Sequence, residues 1–316
     1  MADRPAALIV AGPTASGKSA LALDLAERLG GTVINADAMQ TYRELRVLTA
    51  RPSVAEEALV PHRLYGVRAA GAPADAAWWR AAALAEMAAA PGLPILCGGT
   101  FLYLSALTEG LAEIPPPGEA ARAEARQRLA ELGPGGLHAA LARVDPATAS
   151  RLRPSDSQRL ARAWEVWAGT GRGLAAWQDA PRIAAPWRFA AIVIDPPRAA
   201  LRAAIEQRFG AMLEAGALDE VRALLALPLD PALPLLRAHG VAELAAHLRG
   251  EISLDTARRR AELATGQYTK RQATWLRHRR FADPARTHMI HARVAGLAQY
   301  SARELADLMN FVHGAG

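Results

Sequence analysis

A glycine-rich run near the start of the chain holds the first residues whose types and spacing could do chemistry. The run is Gly12-Pro13-Thr14-Ala15-Ser16-Gly17-Lys18-Ser19, and it fits the pattern G-x-x-x-x-G-K-[ST] in full. In this pattern the backbone N–H groups converge on an anion and the lysine adds a full positive charge. The final hydroxyl can bind a phosphate-bound Mg²⁺. The run therefore predicts a diphosphate or triphosphate site, with Ser19 as the metal ligand.

The residues on either side of this loop predict the elements that position it. Ala7 to Ala11 form a short apolar run that is typical of a buried strand. Ala20 to Leu29 place leucines on one face of a helix, whose N-terminus adds partial positive charge where the loop ends. A chance glycine-rich turn would lack this strand, loop and helix order, so we interpret the run as a phosphate-binding loop.

Two more chemical side chains follow predicted strands. Asp37 comes after the strand 32–35, and Thr100 comes after the strand 94–97 and two glycines. Open α/β sheets bind ligands at the carboxyl ends of their strands, so both side chains are expected beside the loop. The alternatives are an ordinary turn residue for Asp37 and a helix N-cap for Thr100. No acidic residue follows the strand 94–97 before Glu109, so the Walker-B carboxylate of an ATPase is missing.

Alternating strands and helices indicate an α/β fold, a P-loop NTPase-like core with a parallel sheet flanked by helices. Strands are predicted over 7–11, 32–35, 64–67, 94–97 and 190–194. Helices are predicted over 20–29, 75–90, 101–110, 198–225 and 301–316. Between them lie helical stretches over 119–132, 135–143 and 156–170, with no convincing strand. We therefore predict a core of residues 1–114 and 186–316 with an inserted all-helical subdomain at 115–185.

Composition and charge bound the class of protein. The chain has 316 residues, a net charge of +6, and one cysteine, Cys97, in an apolar run that favours a buried thiol. No signal peptide and no membrane-spanning run are recognisable, so we expect a cytoplasmic protein with no membrane partner. We also expect a monomer. Only two of the 37 basic residues are lysines, which singles out Lys270 beside Lys18.

The stretch 263–282 contains no acidic residue and interleaves basic residues with Tyr268 and Trp275. Basic groups with aromatic rings between them suit a nucleic-acid backbone. The alternative is an ordinary basic helix face. Arg159 and Arg162 share one face of the predicted helix 156–170, where the alternative is again a solvated surface.

Eight short motifs, in order, resemble those of bacterial tRNA dimethylallyltransferases, and the resemblance runs from the first strand to about residue 280. The motifs are the loop 12–19, Asp37-Ala38-Met39-Gln40, Thr49-Ala50-Arg51-Pro52, Pro61-His62-Arg63-Leu64, Gly98-Gly99-Thr100-Phe101-Leu102-Tyr103, Gln158-Arg159-Leu160, Ile205-Glu206-Gln207-Arg208-Phe209 and Lys270-Arg271-Gln272-Ala273-Thr274-Trp275-Leu276-Arg277. The resemblance implies transfer of a dimethylallyl group from dimethylallyl diphosphate to N6 of the adenosine 3′ of the tRNA anticodon, with Mg²⁺. Ala38 and Gly266 depart from the residues common in the family, and residues 237–242 match it only in part.

The resemblance also implies roles for individual residues. Residues 12–19 and Arg208 would bind the diphosphate, Asp37 would be the general base, and Thr100 would hydrogen-bond the bridging oxygen. Residues expected to contact the tRNA anticodon stem-loop are Asp37, Ala38, Met39, Gln40, Arg122, Gln158, Arg159, Leu160, Ala161, Arg162, Lys270, Arg271, Gln272, Trp275 and Arg277.

Three other functions share part of this pattern. A small-molecule or nucleotide kinase has the loop and an acid after the second strand, but it does not account for residues 263–282 or the helical segment. An isopentenyltransferase acting on free adenine nucleotides is a closer alternative, and the basic C-terminal region favours RNA over it. An RNA-binding module without chemistry would have no use for Lys18, Asp37 and Thr100.

Overall fold

A computed structural model describes residues 5–231 and 233–315 of the chain. The chain divides into two compact units, one formed by residues 1–108 and 185–316 and the other by residues 109–184. The second unit covers most of the segment 115–185, for which the sequence predicts an inserted subdomain.

The first unit is built on one sheet of six parallel strands in the order β3-β2-β4-β1-β5-β6. The strands are β1 Ala6–Ala11, β2 Thr32–Asn35, β3 His62–Arg63, β4 Pro94–Gly98, β5 Arg188–Ile194 and β6 Thr287–Ile290. In the register of the central strands, Val10 lies opposite Cys97 on one side and Ile192 on the other. The carboxyl ends of β2, β4, β1 and β5 therefore lie along one edge, as the predicted α/β fold requires.

Nine helices of the described chain belong to this unit. They are α1 Lys18–Leu29, α2 Val54–Leu59, α3 Ala76–Ala89, α4 Phe101–Thr108, α9 Arg198–Glu214, α10 Ala217–Leu225, α11 Val241–Leu248, α12 Leu254–His278 and α13 Ala302–Ala315. Side chains alternate along each strand, so each face of the sheet needs its own apolar cover. One face packs on Trp79 of α3 and Leu104 of α4, and the other packs on Leu25 of α1 and Val312 of α13.

A third apolar cluster joins helices α9 to α12 to a loop of the amino-terminal half. It includes Leu45 and Leu48 from the loop, Phe209 from α9, Val221 from α10 and Leu244 from α11. These side chains are at most 6 % exposed. The loop after β2 is therefore packed against the carboxy-terminal helices, although about 160 residues separate Leu48 from Phe209 in the chain.

Two predicted elements are wrong, and one strand was not predicted. The strand expected over 64–67 lies at His62–Arg63 instead, because Leu64 has a φ of 63° and ends the extended backbone. The single helix expected over 198–225 is two helices, separated at Gly216, whose φ is 95°. Strand β6 was missed because Thr287–Ile290 mixes polar and apolar residues over only four positions.

The second unit consists of helices, with no strand among the residues described. Its elements are α5 Gly118–Val144, α6 Pro146–Ala149, α7 Ser157–Thr170 and α8 Leu174–Gln178. The backbone of α5 leaves helical geometry at Gly133, just before Pro134, so its halves match the two helices predicted at 119–132 and 135–143. Leu137 and Leu141 of α5 pack on Leu160 of α7 in the core of this unit.

Candidate active site

The loop between β1 and α1 is shaped by its backbone. Gly17 has a φ of 93°, and a Cβ there would lie 1.6 Å from the carbonyl oxygen of Val294, so only glycine fits. Ala15 also has a positive φ, of 66°, and the Ser16 N–H donates to Pro13 O at 3.2 Å. Successive backbone amides turned in this way form an anion-binding nest at a helix N-terminus.

Lys18 is the cation of this nest, and it is almost fully enclosed. Its side chain lies inside the loop, and Nζ donates to Pro13 O at 3.3 Å. Burial lowers the pKa of Lys18, the Asp37 carboxylate acts in the opposite direction, and the Arg208 guanidinium lowers it further. A bound anion would restore the charge balance, because burial of an ammonium favours its neutral form unless an opposite charge is close.

Asp37 is held in a turn by the fully buried amide of Asn35. Asn35 Nδ2 donates to Asp37 O at 2.9 Å and to Leu64 O at 3.1 Å, and the Asp37 N–H donates to Asn35 Oδ1 at 2.8 Å. The Met39 N–H then donates to Asp37 Oδ1 at 3.0 Å. One carboxylate oxygen therefore fixes the turn, and the other, Oδ2, accepts no hydrogen bond from the described part of the chain.

Thr100 is locked beside this turn by the glycine that ends β4. A Cβ at Gly98 would lie 2.1 Å from the backbone of Ala36, so β2 and β4 approach this closely only with glycine there. The Thr100 N–H donates to Ala36 O at 3.1 Å, and the Ala38 N–H donates to Thr100 Oγ1 at 2.9 Å. The structure thus brings Thr100 and Asp37 together, as expected from their places after adjacent strands.

Gln272 of α12 joins the two loops of the site. Its Oε1 accepts from the Thr14 N–H at 2.9 Å, and its Nε2 donates to Gly99 O, also at 2.9 Å. The side chain is 3 % exposed, and both ends of its amide are used. The resemblance implies that Gln272 contacts tRNA, whereas the structure places it between the phosphate-binding loop and the β4–α4 turn.

Two arginines lie near the loop, and only one of them was predicted. Arg208 donates to Thr49 O at 3.4 Å. Burial lowers the pKa of Arg208, the Asp37 carboxylate opposes this shift, and the charge of Arg293 lowers the pKa further. Arg293 follows β6, and its Nε donates to Ala15 O at 3.1 Å. The sequence offered no signal for Arg293, because its place depends on the unpredicted strand β6.

Tyr268 is a second residue that the sequence did not assign to the site. Burial raises its pKa, with Asp37 adding to the effect, and a hydrogen bond with the Thr100 side chain acts against it. The Tyr268 ring lies 4.9 Å from the imidazole of His239, and the Arg271 guanidinium stands 5.4 Å from the ring centroid. Burial and Arg271 both lower the pKa of His239, which favours its neutral form.

Two family models and many known proteins match the sequence of this chain. The sequence model described as IPP transferase matches residues 40–279, and the model described as isopentenyl transferase matches residues 5–68. The chain belongs to the IPP transferase family. The tRNA dimethylallyltransferase of Granulibacter bethesdensis is 62 % identical over 310 residues, which cover 97 % of each chain. The resemblance inferred from eight motifs is confirmed, and the chain is a transferase.

Solved structures of the family show the same fold. The full-length tRNA isopentenylpyrophosphate transferase from Bacillus halodurans is 27 % identical, with a TM-score of 0.67 over 99 % of this chain and 97 % of that one. A eukaryotic dimethylallyltransferase acting on tRNA is 21 % identical, with a TM-score of 0.79 over 98 % of this chain and 80 % of that one. The second likeness supports the fold alone.

For an IPP transferase, the expected RNA-facing residues of the first unit fall into exposed and buried groups. Lys270, Arg271 and Arg277 are exposed along α12. Trp275 is half-buried, and its ring centroid lies 6.2 Å from that of Phe101. Of the expected residues that follow β2, Asp37, Ala38 and Met39 are half-buried and Gln40 is buried, as is Gln272 on α12.

The expected RNA-facing residues of the second unit lie mostly on its surface. Gln158 and Arg159 are exposed and Ala161 is half-buried, but Leu160 is fully buried in the core of this unit, so its side chain is not available to RNA. The arginines each have an acidic neighbour on their own helix or cap. The pairs are Arg122–Glu119 at 3.7 Å, Arg159–Asp156 at 3.5 Å and Arg162–Glu165 at 3.1 Å.

Ser19 is the residue of the site that suits a metal ion bound by phosphate. It is exposed in the first turn of α1, and its hydroxyl lies within hydrogen-bonding reach of Cys97. Burial raises the pKa of the Cys97 thiol to about 11, so it is an unreactive core thiol, as predicted. The described residues contain no group of three acidic, histidine or cysteine side chains that could hold a metal by themselves. No described helix is long and apolar enough to cross a membrane.

Proposed function

We propose that this chain transfers a dimethylallyl group from dimethylallyl diphosphate to N6 of the adenosine 3′ of the tRNA anticodon. The observation that carries the proposal is the placement of Asp37 within a group of cations. Its charge acts on Lys18 and Arg208, and one of its carboxylate oxygens is committed to the turn. A base beside a diphosphate site suits an attacking amine and a leaving diphosphate that react close together.

The chemistry requires two kinds of help. The N6 amino group is a weak nucleophile because its lone pair is delocalised into the adenine ring, whereas the allylic carbon can carry positive charge as its C–O bond breaks. The loop amides, Lys18 and Arg208 stabilise the departing diphosphate. Thr100 hydrogen-bonds the bridging oxygen, and Asp37 accepts the proton from N6. The free pair of electrons on N6 forms the new C–N bond as the C–O bond breaks.

The residues present fit Mg²⁺ bound together with the diphosphate. Mg²⁺ commonly keeps several waters and takes substrate phosphates with only one or two protein groups, and Ser19 supplies one hydroxyl here. When bound, Mg²⁺ would neutralise part of the charge on the diphosphate. The absence of an acid after β4 is consistent with a loop that serves a diphosphate leaving group rather than ATP hydrolysis.

The adenosine must reach Asp37, which lies in the turn after β2 at the carboxyl edge of the sheet. An enzyme that reacts with a stacked base takes that base out of the stack, so we propose that the adenosine is flipped into the site. Lys270, Arg271 and Arg277 would contact the RNA backbone, and the exposed arginines of the second unit would contact the anticodon stem-loop. We further propose a monomer that works in the cytoplasm.

The test is a transfer assay with defined acceptors. The protein is incubated with unmodified tRNA, dimethylallyl diphosphate and Mg²⁺. The tRNA is then digested, and the masses of its nucleosides are measured by mass spectrometry. We expect N6-dimethylallyladenosine and one diphosphate released per transfer. ATP hydrolysis stimulated by tRNA, without a prenylated nucleoside, would contradict the proposal.

A second candidate is prenyl transfer to a free adenine nucleotide, which the match of residues 5–68 to the isopentenyl transferase model favours. That match covers the phosphate-binding loop and Asp37, which both reactions need. Offering AMP and tRNA in the same assay separates the two functions. We expect the product in tRNA, and a product confined to AMP would support the second candidate.

A further inference from the structure

The carboxylate of Glu220, in the first turn of α10, accepts hydrogen bonds from three consecutive backbone N–H groups. The Val47 N–H donates to Oε1 at 2.9 Å and the Leu48 N–H donates to Oε2 at 2.8 Å, and the Arg46 N–H also donates to Oε1. Consecutive N–H groups turned in this way form a nest that binds an anion. Here the anion is a side chain of the same protein, from more than 170 residues along the chain.

Two carbonyl groups follow the turn that Glu220 holds, and they accept hydrogen bonds from Gln40 and Arg208, the residues proposed to bind the substrates. Thr49 O and Ala50 O accept from Gln40 Nε2 at 2.9 and 3.0 Å, and Thr49 O also accepts from Arg208 at 3.4 Å. Ala50 has a φ of 48°, which residues other than glycine adopt rarely. A turn of this shape persists only where its surroundings hold it.

These contacts set the orientation of the Gln40 amide. Both of its close partners are carbonyl oxygens, so Nε2 must face them and Oε1 must point the other way. Oε1 is therefore the end of the Gln40 amide that remains for a substrate. Its position depends on the Thr49 and Ala50 carbonyls, and their position depends on the nest at residues 46–48.

We propose that Glu220 is a positioning residue for the transfer reaction. By binding the amides of residues 46–48, it fixes the carbonyls that orient Gln40 toward RNA and hold Arg208 near the diphosphate. Glu220 itself would touch neither substrate. The role in transfer rests on the proposed function, whereas the effect on the 46–50 turn does not.

The informative variant is Glu220→Gln, with Asp219→Asn as its matched control. Glutamine keeps the volume of Glu220 but has one acceptor oxygen, and its NH₂ group would point a donor at an amide N–H. Asp219 is the neighbouring acid in the same turn of α10, but it pairs with the exposed Arg222 and not with the 46–48 amides. Both variants remove one negative charge at the same end of the helix.

Steady-state kinetics with tRNA and dimethylallyl diphosphate test the proposal. Hydrogen bonds to a charged group are the stronger kind, so we expect Glu220→Gln to lower kcat/KM for tRNA by about 10- to 100-fold. The KM for dimethylallyl diphosphate should rise by only a few-fold, because the Arg208 contact is longer. Asp219→Asn should stay within about twofold of wild type. Equal kinetics for both variants, per folded molecule, would overturn the proposal.

A double-mutant cycle asks whether Glu220 acts through Gln40. In a Gln40→Ala background, Glu220→Gln should lower kcat/KM for tRNA by much less than in wild type, because the group that it positions is gone. Fully additive losses would overturn the proposed route. A general loss of stability would instead lower the melting temperature and leave the coupling at zero.

Hydrogen exchange separates failure of this proposal from failure of the proposed function. The amides of residues 46–48 should exchange slowly in wild type and Asp219→Asn, and at least tenfold faster in Glu220→Gln, with the amides of β1 unchanged in all three. If Glu220→Gln speeds exchange at residues 46–48 but the wild-type protein transfers nothing to tRNA, the proposed function is refuted while the contact between Glu220 and these amides is supported. Unchanged exchange in an active enzyme would refute the role of Glu220.

Discussion

Two groups of cations in this chain are built in opposite ways. Lys18 is 8 % exposed, is enclosed by its own loop, and has a pKa that burial lowers. Lys270, Arg271 and Arg277 stand exposed along α12. Lys18 is an ammonium enclosed in a nest of backbone amides, whereas the three residues of α12 form a row of solvated charges on a helix.

The difference teaches which substrate each group can serve. A buried cation interacts strongly with a small anion at one fixed distance, and no neighbour can replace it. Exposed cations are screened by salt and act together, so each contributes a modest share to the binding of a long polyanion. Substitutions should therefore be severe and specific at the loop, and graded and salt-dependent along α12.

The strongest test of the loop is Lys18→Ala. We expect transfer to be abolished, because the enclosed cation cannot be replaced by solvent, while tRNA affinity remains near that of wild type. The assay pairs prenyl transfer with a tRNA binding measurement on the same preparation, and Arg303→Ala, which removes an exposed cation from α13, is the control. Lost tRNA binding together with lost transfer would mean that the two cation groups are not separate.

Asp37→Asn should be the next most damaging change. The amide keeps the shape of the turn but cannot readily accept the N6 proton, and general-base catalysis is typically worth about 10² to 10⁴ in rate. Single-turnover kinetics on a folded variant should show a chemical step slower by that order, with tRNA affinity nearly unchanged. Asp37→Ala should be at least as slow. A chemical step within a few-fold of wild type would reduce Asp37 to a turn residue.

The row on α12 is tested by replacing Lys270, Arg271 and Arg277 together with alanine. If all three contact phosphates, the slope of log affinity against log salt should fall by roughly 0.7 to 0.9 per contact. Affinity for diphosphate should not change. The control, which removes the same charge elsewhere, replaces Arg222, Arg249 and Arg303. An unchanged slope in the α12 variant would place the RNA on another surface.

Arg293 tests whether a third cation, beside Lys18 and Arg208, contributes to diphosphate binding. Its Nε holds the Ala15 carbonyl, and its charge acts on Arg208. We expect Arg293→Ala to raise the KM for dimethylallyl diphosphate by about tenfold, since hydrogen bonds to charged groups contribute about 1.5 to 3 kcal/mol. Arg303→Ala, an exposed arginine on α13, should have no effect. A higher KM for tRNA alone would assign Arg293 to the RNA side.

The smallest effect should come from pH. Because burial lowers the pKa of Lys18, free enzyme loses this charge at a lower pH than an ordinary lysine does, with 10.5 as the usual value. Diphosphate binds the charged form, so its affinity should fall as pH rises through that lowered pKa, by at most about tenfold per pH unit. Calorimetry of diphosphate binding measures this directly. Lys18→Arg should lack the alkaline decline, and an identical decline in that variant would assign it to another group.

Local patterns were enough to predict much of the fold and part of the site. Strands β1, β2, β4 and β5 were recognisable as apolar runs, and the loop 12–19 was recognisable from its glycines and lysine. The predicted ends of a strand near Leu64 and of a helix near Gly216 were wrong, because one positive φ angle sets each end and side-chain periodicity does not report a positive φ. Strand β6 failed because its four residues pair with β5 without carrying an apolar pattern of their own.

The sequence by itself determined which groups could do chemistry and at which strand ends they stand. Asp37 and Thr100 stand two residues after a strand, and Lys18 ends the loop that follows β1. Parallel strands bring their carboxyl ends to one edge whatever the rest of the chain does. Only the tertiary structure decided how those groups are held. Gln272 reaches Thr14 across 258 residues, and Arg293 reaches Ala15 across 278. Such contacts depend on how α12 and the segment after β6 pack on the sheet. No periodicity or motif in the sequence links the two residues of each contact, because they are far apart in the chain.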